Sequence, residues 1–218
     1  MRRVSWLAFA CALLTLASAN AGDSSKHFFN GKDLTGWEGL EEYWTVKDGT
    51  LTGAHKGLSF NTFLCSKHKF SDFEMKFQVK LTGGGANSGI QIRSHIHDAK
   101  KFAVTGPQCD MGGPYWGSLY GENFGGMMKA ADGKLVEKIL KKDDFNDYYI
   151  KCVGQHVTIK LNGETTVDQD FDKAWAEGGK GRKELPADGI IAFQLHATGS
   201  PGMSAEFRHI QFKDLSKK

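Results

Sequence analysis

The sequence contains few prolines and lacks the short motifs that identify several large enzyme classes. Only four prolines occur among its 218 residues. It has no G-x-S-x-G nucleophile elbow, no phosphate-binding P-loop and no H-E-x-x-H zinc motif. The E-x-D-x-x-E run that places two carboxylates on one strand of some sandwich glycosidases is absent as well. Direct glycoside hydrolysis by two carboxylates of one strand is therefore not indicated.

The chain also lacks an excess of charge of either sign. Lysine and arginine total 28 and aspartate and glutamate total 25, and two of the basic residues are Arg2 and Arg3 at the start of the chain. A balance this close gives no argument for binding nucleic acid or an acidic membrane surface. We therefore predict neither as a partner.

Residues 1–21 have the features of a secretory signal peptide. Two arginines precede an apolar run at 4–16, and Ala19-Asn20-Ala21 fits a small-residue cleavage site. The apolar run is too short for a good transmembrane span. We expect cleavage before Gly22, a single domain over residues 22–218, no membrane span after cleavage, and a periplasmic or secreted protein. The alternative is an uncleaved membrane anchor.

The few cysteines do not form a fully paired disulfide framework. Cys11 lies in the leader, which leaves the odd number Cys65, Cys109 and Cys152. One disulfide is compatible with this count, but no pair can be named. Cys65 and Cys152 lie in apolar, strand-like runs, which favours buried thiols.

Glycine and period-two alternation are what the chain has in abundance. Its 27 glycines are about twice the usual frequency of ~7%. Alternating polar and apolar residues predict strands at 73–81, 88–95, 148–154, 157–167 and 205–215, and Asn162-Gly163 predicts a hairpin turn. Helix is expected only as a short turn near 171–179. These patterns predict an all-β, two-sheet antiparallel sandwich, without deciding between jelly-roll and immunoglobulin-like topology.

Two glycine-rich segments, 82–89 and 106–126, interrupt the alternation and are expected to be irregular. The second is long enough to form a lid or rim over a site, and loops carry function more often than strands do.

The stretch GIIAFQLH at 189–196 places Ile191, Phe193 and Leu195 on one side of a strand and Gln194 and His196 on the other. Similar polar positions recur along the chain. They are Gln91, Arg93 and His95 on a strand, and Asn87, Gln108, Asp110 and Tyr120 on loops or short strands. Sugar sites need such amides and charged groups for hydroxyls, and an aromatic such as Tyr115 or Trp116 for the apolar sugar face. The alternative is the ordinary wet face of an antiparallel sheet.

Two other clusters resemble metal sites only weakly. His95 and His97 alternate onto one face of a strand, but no third ligand follows at a fixed spacing. Asp168, Asp170 and Asp172 lack the glycine and the distal glutamate of a calcium-binding EF-hand loop. Surface roles are favoured for both clusters.

Several segments together resemble one family. After the leader, HFFNGKDLTGWEG at 27–39 is the most specific of them, and WTVKDGTLTG, FSDFEMKFQVKL, NSGIQIRS, GPQCDMGG, GIIAFQLHATG and AEFRHIQFKDL follow in order. They resemble the 3-keto-disaccharide hydrolase family, also called DUF1080, over nearly all of the mature chain. The resemblance implies a concanavalin A-like jelly roll. It also implies action on glycosides that a partner sugar C3-dehydrogenase has oxidised at C3.

That chemistry assigns candidate roles. A carbonyl at C3 acidifies the C2 proton, so a base removes it, the C1–oxygen bond breaks by elimination, and water adds. We expect His196 or Asp110 as the base and Arg93 or a bound divalent metal ion as the stabiliser of negative charge. Arg93, Asp110 and His196 are predicted to converge in one pocket. Candidates for holding hydroxyls are Glu74, Asn87, Gln91, Gln108, Tyr120 and Gln194. Whether the product leaves as the hydrolysed or the unsaturated sugar stays open. Competing hypotheses are a non-catalytic carbohydrate-binding module and a structural surface protein.

Overall fold

The computed structural model of the chain describes residues 28–178, 184–199 and 201–216. The predicted signal peptide and its cleavage site lie outside these residues. Within them, no helix is long and apolar enough to cross a membrane.

Fourteen strands form two antiparallel sheets. The front sheet has the order β1-β4-β13-β6-β7-β8-β9, and the back sheet has the order β12-β11-β10-β5-β14-β3-β2. The strands are β1 (Trp37–Glu38), β2 (Trp44–Lys47), β3 (Thr50–His55), β4 (Thr62–Phe70), β5 (Phe73–Thr82), β6 (Asn87–Asp98), β7 (Ala103–Gly112), β8 (Leu119–Glu122), β9 (Gly126–Lys129), β10 (Asn146–Val153), β11 (His156–Leu161), β12 (Glu164–Asp170), β13 (Gly189–Leu195) and β14 (Met203–Asp214). The prediction of a two-sheet antiparallel sandwich is confirmed.

The core lies between the sheets and follows from the alternation of each strand. Phe73, Met75, Phe77 and Val79 of β5 are buried in it, as the alternation of 73–81 predicts. On the front sheet, β6 and β13 turn a second set toward the same core, namely Ile90, Ile92, Ile191, Phe193 and Leu195. Because neighbouring strands present apolar faces in register, the two sheets bury one continuous cluster.

The hairpin between β11 and β12 has the predicted turn. Asn162 and Gly163 have φ angles of 50° and 90°, the positive values that a type I′ turn needs at both central residues. The Asn162 side chain also accepts from the Asp147 amide nitrogen at 2.9 Å, which ties the turn to β10.

Two short α-helices complete the described chain. The helix α2 (Phe171–Gly178) lies where the sequence predicts a helical turn. The helix α1 (Gly133–Ile139) was not predicted. Its sequence signal is Asp132, whose side chain accepts from the Lys134 amide nitrogen at 2.9 Å as an N-cap.

The glycine-rich segment 106–126 is mostly sheet, so the prediction of a long irregular rim is wrong. Residues up to Gly112 belong to β7, and β8 begins at Leu119. Only the short connection at 113–118, with a 3-10 turn at Gly113–Tyr115, and the turn after β8 leave the sheet. Glycine suits positions in these strands where a neighbouring strand approaches too closely to leave room for a side chain. A Cβ at Gly106, for example, would collide with the Ser94 side chain.

The three cysteines of the described chain, Cys65, Cys109 and Cys152, are free and buried. Burial raises the pKa of the Cys152 thiol to about 12, so it stays a neutral, apolar side chain. The expectation of buried thiols at Cys65 and Cys152 is confirmed.

Candidate functional site

A polar pocket of about 300 Å³ opens on the outer face of the front sheet, the face turned away from the core. It collects side chains from strands that are far apart in sequence. The lining residues are Asn61, Asn87, Gln108, Asp110, Tyr115, Tyr120, Glu122, Asn123, Gln194 and His196. Six of the residues predicted from sequence are therefore brought together, namely Asn87, Gln108, Asp110, Tyr120, Gln194 and His196.

The pairing register of three strands builds the floor of this pocket. Gln108 of β7 lies between Gln91 of β6 and Tyr120 of β8, and Asp110 lies opposite Gly89. Residues opposite one another in a sheet turn their side chains to the same face, so the side chains of these residues lie next to one another on the outer face. The Gln108 side chain lies over Gly89 and occupies the space that a larger residue would need there. A Cβ at this position would be 2.6 Å from Gln108 Cγ and Cδ.

A chain of side-chain amides runs along the floor. The amides of Gln91 and Gln108 approach to 2.7 Å. The other end of the Gln108 amide lies 3.2 Å from Asp110 Oδ1 and 3.3 Å from the Gln194 amide. The exposed fractions of Gln91, Gln108 and Gln194 are 0%, 2% and 1%, so these polar groups depend on one another rather than on water.

Asp110 is the buried acid of the pocket. Its burial raises its carboxyl pKa from 3.8 to about 7, because desolvation disfavours the charged form, and the nearby Glu122 carboxylate acts in the same direction. Hydrogen bonds from the Met111 main-chain nitrogen and the Asn87 amide oppose this rise without cancelling it. The carboxyl therefore changes charge near neutral pH, where proton transfer is most effective.

His196, just beyond β13, is held in one tautomer. Its Nδ1 lies 2.7 Å from the Ala197 carbonyl oxygen, which can only accept, so Nδ1 carries the proton of the neutral ring. Nε2 is then the nitrogen with a free lone pair. A second histidine holds the main chain here. The Gly57 amide nitrogen donates to His55 Nδ1, so His55 Nε2 carries the proton and donates to the His196 carbonyl oxygen at 3.0 Å.

Four residues that line the pocket are not among the polar site residues predicted from the sequence, namely Asn61, Tyr115, Glu122 and Asn123. Glu122 of β8 accepts from the Asn61 side chain at 3.1 Å, and Asn61 also accepts from the Ala197 amide nitrogen, so it links the two sides of the pocket. Asn123 follows Glu122 at the end of β8. Tyr115 is 42% exposed at the rim, where the sequence predicts it only as an aromatic for stacking on a sugar. The sequence does contain a signal for Glu122. Glu122 lies two residues beyond Tyr120 on the same strand, so its side chain points to the same face as that of Tyr120.

The electrostatic character of the pocket is acidic. Burial raises the pKa of the Tyr120 hydroxyl, and the nearby Glu122 and Asp110 act in the same direction, so that it stays protonated. The lining contains no lysine or arginine. Negative charge that develops on a ligand must therefore be met by amide, hydroxyl or imidazole hydrogens or by a neutral carboxyl group.

Arg93 does not line this pocket, so the prediction that it converges with Asp110 and His196 is wrong. Its guanidinium is 2% exposed and donates to the carbonyl oxygens of Ser71, Gly154 and Pro186 and to Asp72 Oδ1. It clamps the turn before β5, the turn after β10 and the segment before β13. Its four hydrogen bonds all hold turns or connecting segments.

A β-bulge explains the misplacement of Arg93. His95 lies four positions after Gln91 on β6, whereas its partner Thr105 lies only three positions before Gln108 on β7, so β6 carries one extra residue. Arg93 has a φ angle of 44°, which is unusual for a residue other than glycine. Because the extra residue interrupts the alternation, the position two after Gln91 no longer faces the pocket.

Three further expectations are corrected by position. Glu74 lies on the back sheet, where it lines a more open groove of about 580 Å³ with Lys76 and Tyr149. Trp116 is buried in the core, so its ring is not available for stacking on a sugar in the front pocket. Gln91 is fully buried under the floor and does not line the pocket.

The weak metal-site hypotheses gain no support from the geometry. Within the described residues, no group of three or more His, Cys, Asp or Glu side chains is arranged to hold a metal ion. His95 and His97 are exposed on β6. Asp168 and Asp170 instead bond to the His156 ring at 3.0 and 2.8 Å.

Solved structures with the same architecture are carbohydrate-related in several cases. A candidate glycosyl hydrolase from Parabacteroides distasonis is 23% identical, covering 85% of this chain and 96% of its own, with a TM-score of 0.60. The carbohydrate-binding module CBM66 from Bacillus subtilis is 12% identical, covering 82% and 95%, with a TM-score of 0.58. At such identities these structures show the fold alone, which is the predicted jelly-roll sandwich.

A comparison with curated proteins gives no match to the chain. The family model described as "3-keto-alpha-glucoside-1,2-lyase-like domain" matches residues 24–213, which include strands β1 to β13, β14 except for its last residue, and every lining residue of the pocket. This match confirms the resemblance seen in the sequence and makes the protein a carbohydrate-related β-sandwich. The chain belongs to the 3-keto-alpha-glucoside-1,2-lyase-like domain family.

Proposed function

We propose that the front pocket is the active site of a carbohydrate-active enzyme that cleaves 3-keto-glycosides. The observation that carries this proposal is the presence of two complementary proton-transfer groups in one pocket. His196 presents an unprotonated ring nitrogen, and Asp110 changes charge near pH 7. The family membership supports the same chemistry.

The proposed reaction begins at C2 of the oxidised sugar. His196 Nε2 takes the C2 proton, and the electron pair of that bond forms an enolate with the C3 carbonyl. The enolate then collapses to restore the carbonyl and form the C1–C2 double bond, while the bond from C1 to the leaving oxygen breaks. Water adds its hydroxyl group to C1 and supplies its other proton to the leaving oxygen, and the protonated histidine returns a proton to C2. The net reaction is hydrolysis, and release before water addition would give the unsaturated sugar instead.

The remaining lining groups suit a polyhydroxylated ring. Asn87, Gln108 and Gln194 offer amides, and Tyr120 offers a hydroxyl that burial keeps protonated. Tyr115 at the rim offers an aromatic face for the apolar side of a sugar. A volume of about 300 Å³ is at the lower end of ligand pockets, which favours one sugar ring inside and its substituent outside.

The proposal includes the setting of the enzyme. The predicted leader would deliver it to the periplasm or the exterior. A sugar C3-dehydrogenase must supply the substrate, because unoxidised glycosides lack the carbonyl that acidifies the C2 proton.

The direct test is turnover of a 3-keto-disaccharide by the purified protein, measured as release of free monosaccharide, with the unoxidised disaccharide as the control substrate. We expect turnover of the keto form only. His196→Ala and Asp110→Asn should each lower turnover by roughly 10²-fold or more, the scale of a lost general acid or base. His68→Ala, a matched change of an exposed histidine outside the pocket, should have no effect. Full activity of His196→Ala would refute its assignment as the base.

The second candidate is a non-catalytic carbohydrate-binding module. The observation that supports it is the fold that the chain shares with a carbohydrate-binding module. The same experiment separates the two. Binding of a keto or unoxidised sugar at the front pocket without any turnover would favour the module.

A further inference from the structure

The amide of Gln91 provides a fixed starting point for assigning hydrogens in the front pocket. One end of this amide faces the main-chain carbonyl oxygens of Pro107 and Gly106 at 3.0 and 3.3 Å and the Ser94 hydroxyl at 2.7 Å. Main-chain carbonyl oxygens can only accept hydrogen bonds. This end of the Gln91 amide is therefore the NH₂ group, and its oxygen is the end that faces Gln108.

The orientation of Gln91 determines that of Gln108. The two amides approach to 2.7 Å, and an oxygen on Gln91 requires the nitrogen of Gln108 at this contact. The Gln108 oxygen then occupies the opposite end, 3.2 Å from Asp110 Oδ1 and 3.3 Å from the Gln194 amide. An amide oxygen beside an ionised carboxylate would be two acceptors in contact in a buried site, which is unfavourable. A proton on Asp110 removes the conflict.

The Gln194 amide supports the same arrangement independently. With the Gln108 nitrogen turned toward Gln194 and Asp110, the Gln194 nitrogen is buried without a hydrogen-bond partner. With the Gln108 oxygen there instead, Gln194 turns its nitrogen to that oxygen and gains a partner. The atom then left without one is a carbonyl oxygen, which proteins tolerate more readily than a buried N–H group.

We propose that Gln91, Gln108 and Gln194 form an amide relay, oriented by the carbonyl oxygens of Gly106 and Pro107, that holds Asp110 as a neutral carboxylic acid donating its proton to Gln108. Gln91 is then a positioning residue, since it acts through Gln108 and does not line the pocket. The protonation of Asp110 stands on this geometry alone, whereas its use in catalysis rests on the proposed function.

In the proposed reaction a neutral Asp110 is the acid that complements the His196 base. Its O–H bond breaks as the leaving oxygen gains that proton, and the electron pair of the C1–oxygen bond remains on the leaving oxygen. The resulting Asp110 carboxylate regains a proton from the water molecule whose hydroxyl group adds to C1. Each group ends the cycle in its starting state, so no further reactant is needed.

The groups around Asp110 act in both directions. Burial favours the neutral carboxyl, as does Glu122 from β8 to a smaller extent. The amide of Asn87 from β6 and the main-chain nitrogen of Met111 favour the ionised form. Tyr148 from β10 donates to the Asp110 main-chain oxygen at 2.9 Å and, like Tyr120 and Cys109, is itself uncharged at neutral pH. His196 lines the same pocket and would favour the ionised form only when it is protonated.

Infrared difference spectroscopy of the purified protein tests the relay without requiring turnover. The carbonyl band of a protonated carboxylic acid, identified by its loss in Asp110→Asn, should be present at about pH 6, where an unperturbed aspartate is ionised. In Gln91→Met, which leaves Gln108 free to turn its nitrogen toward Asp110, the titration midpoint of this band should fall by about one pH unit or more, a tenfold loss of proton affinity. Thr62→Val is the matched control, because it removes a buried front-sheet hydrogen bond to the Lys101 carbonyl oxygen that does not involve the relay. It should leave the midpoint unchanged.

An ionised Asp110 at about pH 6 in the wild-type protein would overturn the relay, and so would an unchanged midpoint in Gln91→Met. If Gln91→Met does not fold, the wild-type titration decides. Failure of the proposed function would be distinguishable, because it would abolish turnover of 3-keto-glycosides while leaving the infrared titration as expected. If the protein does turn these substrates over, the alkaline limb of its pH–rate profile should move to lower pH in Gln91→Met by the same amount as the midpoint.

Discussion

The outer faces of the two sheets both carry polar side chains, but the environments of these side chains are opposite. On the back sheet, the outward positions of β5 are Glu74, Lys76 and Gln78, which are exposed or half-buried. On the front sheet, the outward residues Gln91 and Gln108 are almost completely buried. Both faces result from the same alternation of apolar and polar residues. The back face is an ordinary wet surface, whereas the front face holds polar groups out of water.

The difference arises because part of the chain covers the front face. Ile96 and Phe102, at the far end of the β6–β7 hairpin, pack on a small apolar cluster that includes Phe63 of β4 and Ala192 of β13. The Thr62 hydroxyl donates to the Lys101 carbonyl oxygen at 2.7 Å and fastens the hairpin in place. Polar groups beside this cover must find partners within the protein, since burying them without partners costs free energy. A costly arrangement of this kind is expected at a functional site.

The largest difference between the two sheets should appear when one arginine is removed from each. Arg93→Ala leaves three carbonyl oxygens and Asp72 without their buried partner, so we expect a loss of about 3–5 kcal/mol in the free energy of unfolding. Arg208 on the back sheet stacks on Phe145 at 3.6 Å and donates to Gln78, and Arg208→Ala should cost about 1 kcal/mol or less. Urea unfolding of both variants measures this. Equal losses would show that the clamp adds nothing beyond a surface contact.

A smaller effect is expected from adding one methyl group beneath the relay. Gly89→Ala places a Cβ 2.6 Å from buried carbons of Gln108, which must shift and strain its hydrogen bonds, so we expect a loss of about 1–3 kcal/mol and reduced turnover. Gly84→Ala is the control, because nothing lies within 4 Å of its Cβ. Thermal unfolding together with the 3-keto-disaccharide assay gives both readouts. A fully active, equally stable Gly89→Ala protein would mean that the position of Gln108 is not critical.

The last difference, the smallest when it is taken per pH unit, is a dependence of stability on the charge of Asp110 at the front face. The carboxyl pKa of Asp110 is raised to about 7 from 3.8, so the folded chain retains a proton that the unfolded chain releases over about pH 4–7. Stability from this group is thus fully present at low pH and is lost as the pH rises through this window, with a slope of at most about 1.4 kcal/mol per pH unit.

Asp110→Asn should remove that slope. Urea unfolding measured across about pH 4–8 tests this, because the range extends from near the unfolded pKa of Asp110 to above its folded pKa. Other titrating groups, such as His156 on the back sheet, contribute equally to both proteins and cancel in the difference. If the wild-type and Asp110→Asn curves run parallel, the carboxyl of Asp110 has an ordinary pKa.

Much of the fold and part of the site could be predicted from local sequence. Alternation in 73–81 identifies the residues of β5 that enter the core, and Asn162-Gly163 identifies the hairpin turn, because both depend on the geometry of a few neighbouring residues. The same alternation places Gln194 and His196 on one side of their strand. The sequence pattern does not predict helix α1, because seven residues are too few to show a helical repeat of apolar positions, although Asp132 marks its start.

The sequence by itself determined which residues alternate, where the tight turn lies and which family the chain resembles, since each is a property of contiguous residues. Only the tertiary structure decided that the front face is covered, that Glu122 and Asn61 join the pocket, and that Arg93 does not. The covering hairpin depends on contacts between distant strands, and the bulge at Arg93 is visible only when β6 is counted against β7. One extra residue in a strand interrupts its alternation, and no pattern within β6 alone reveals it.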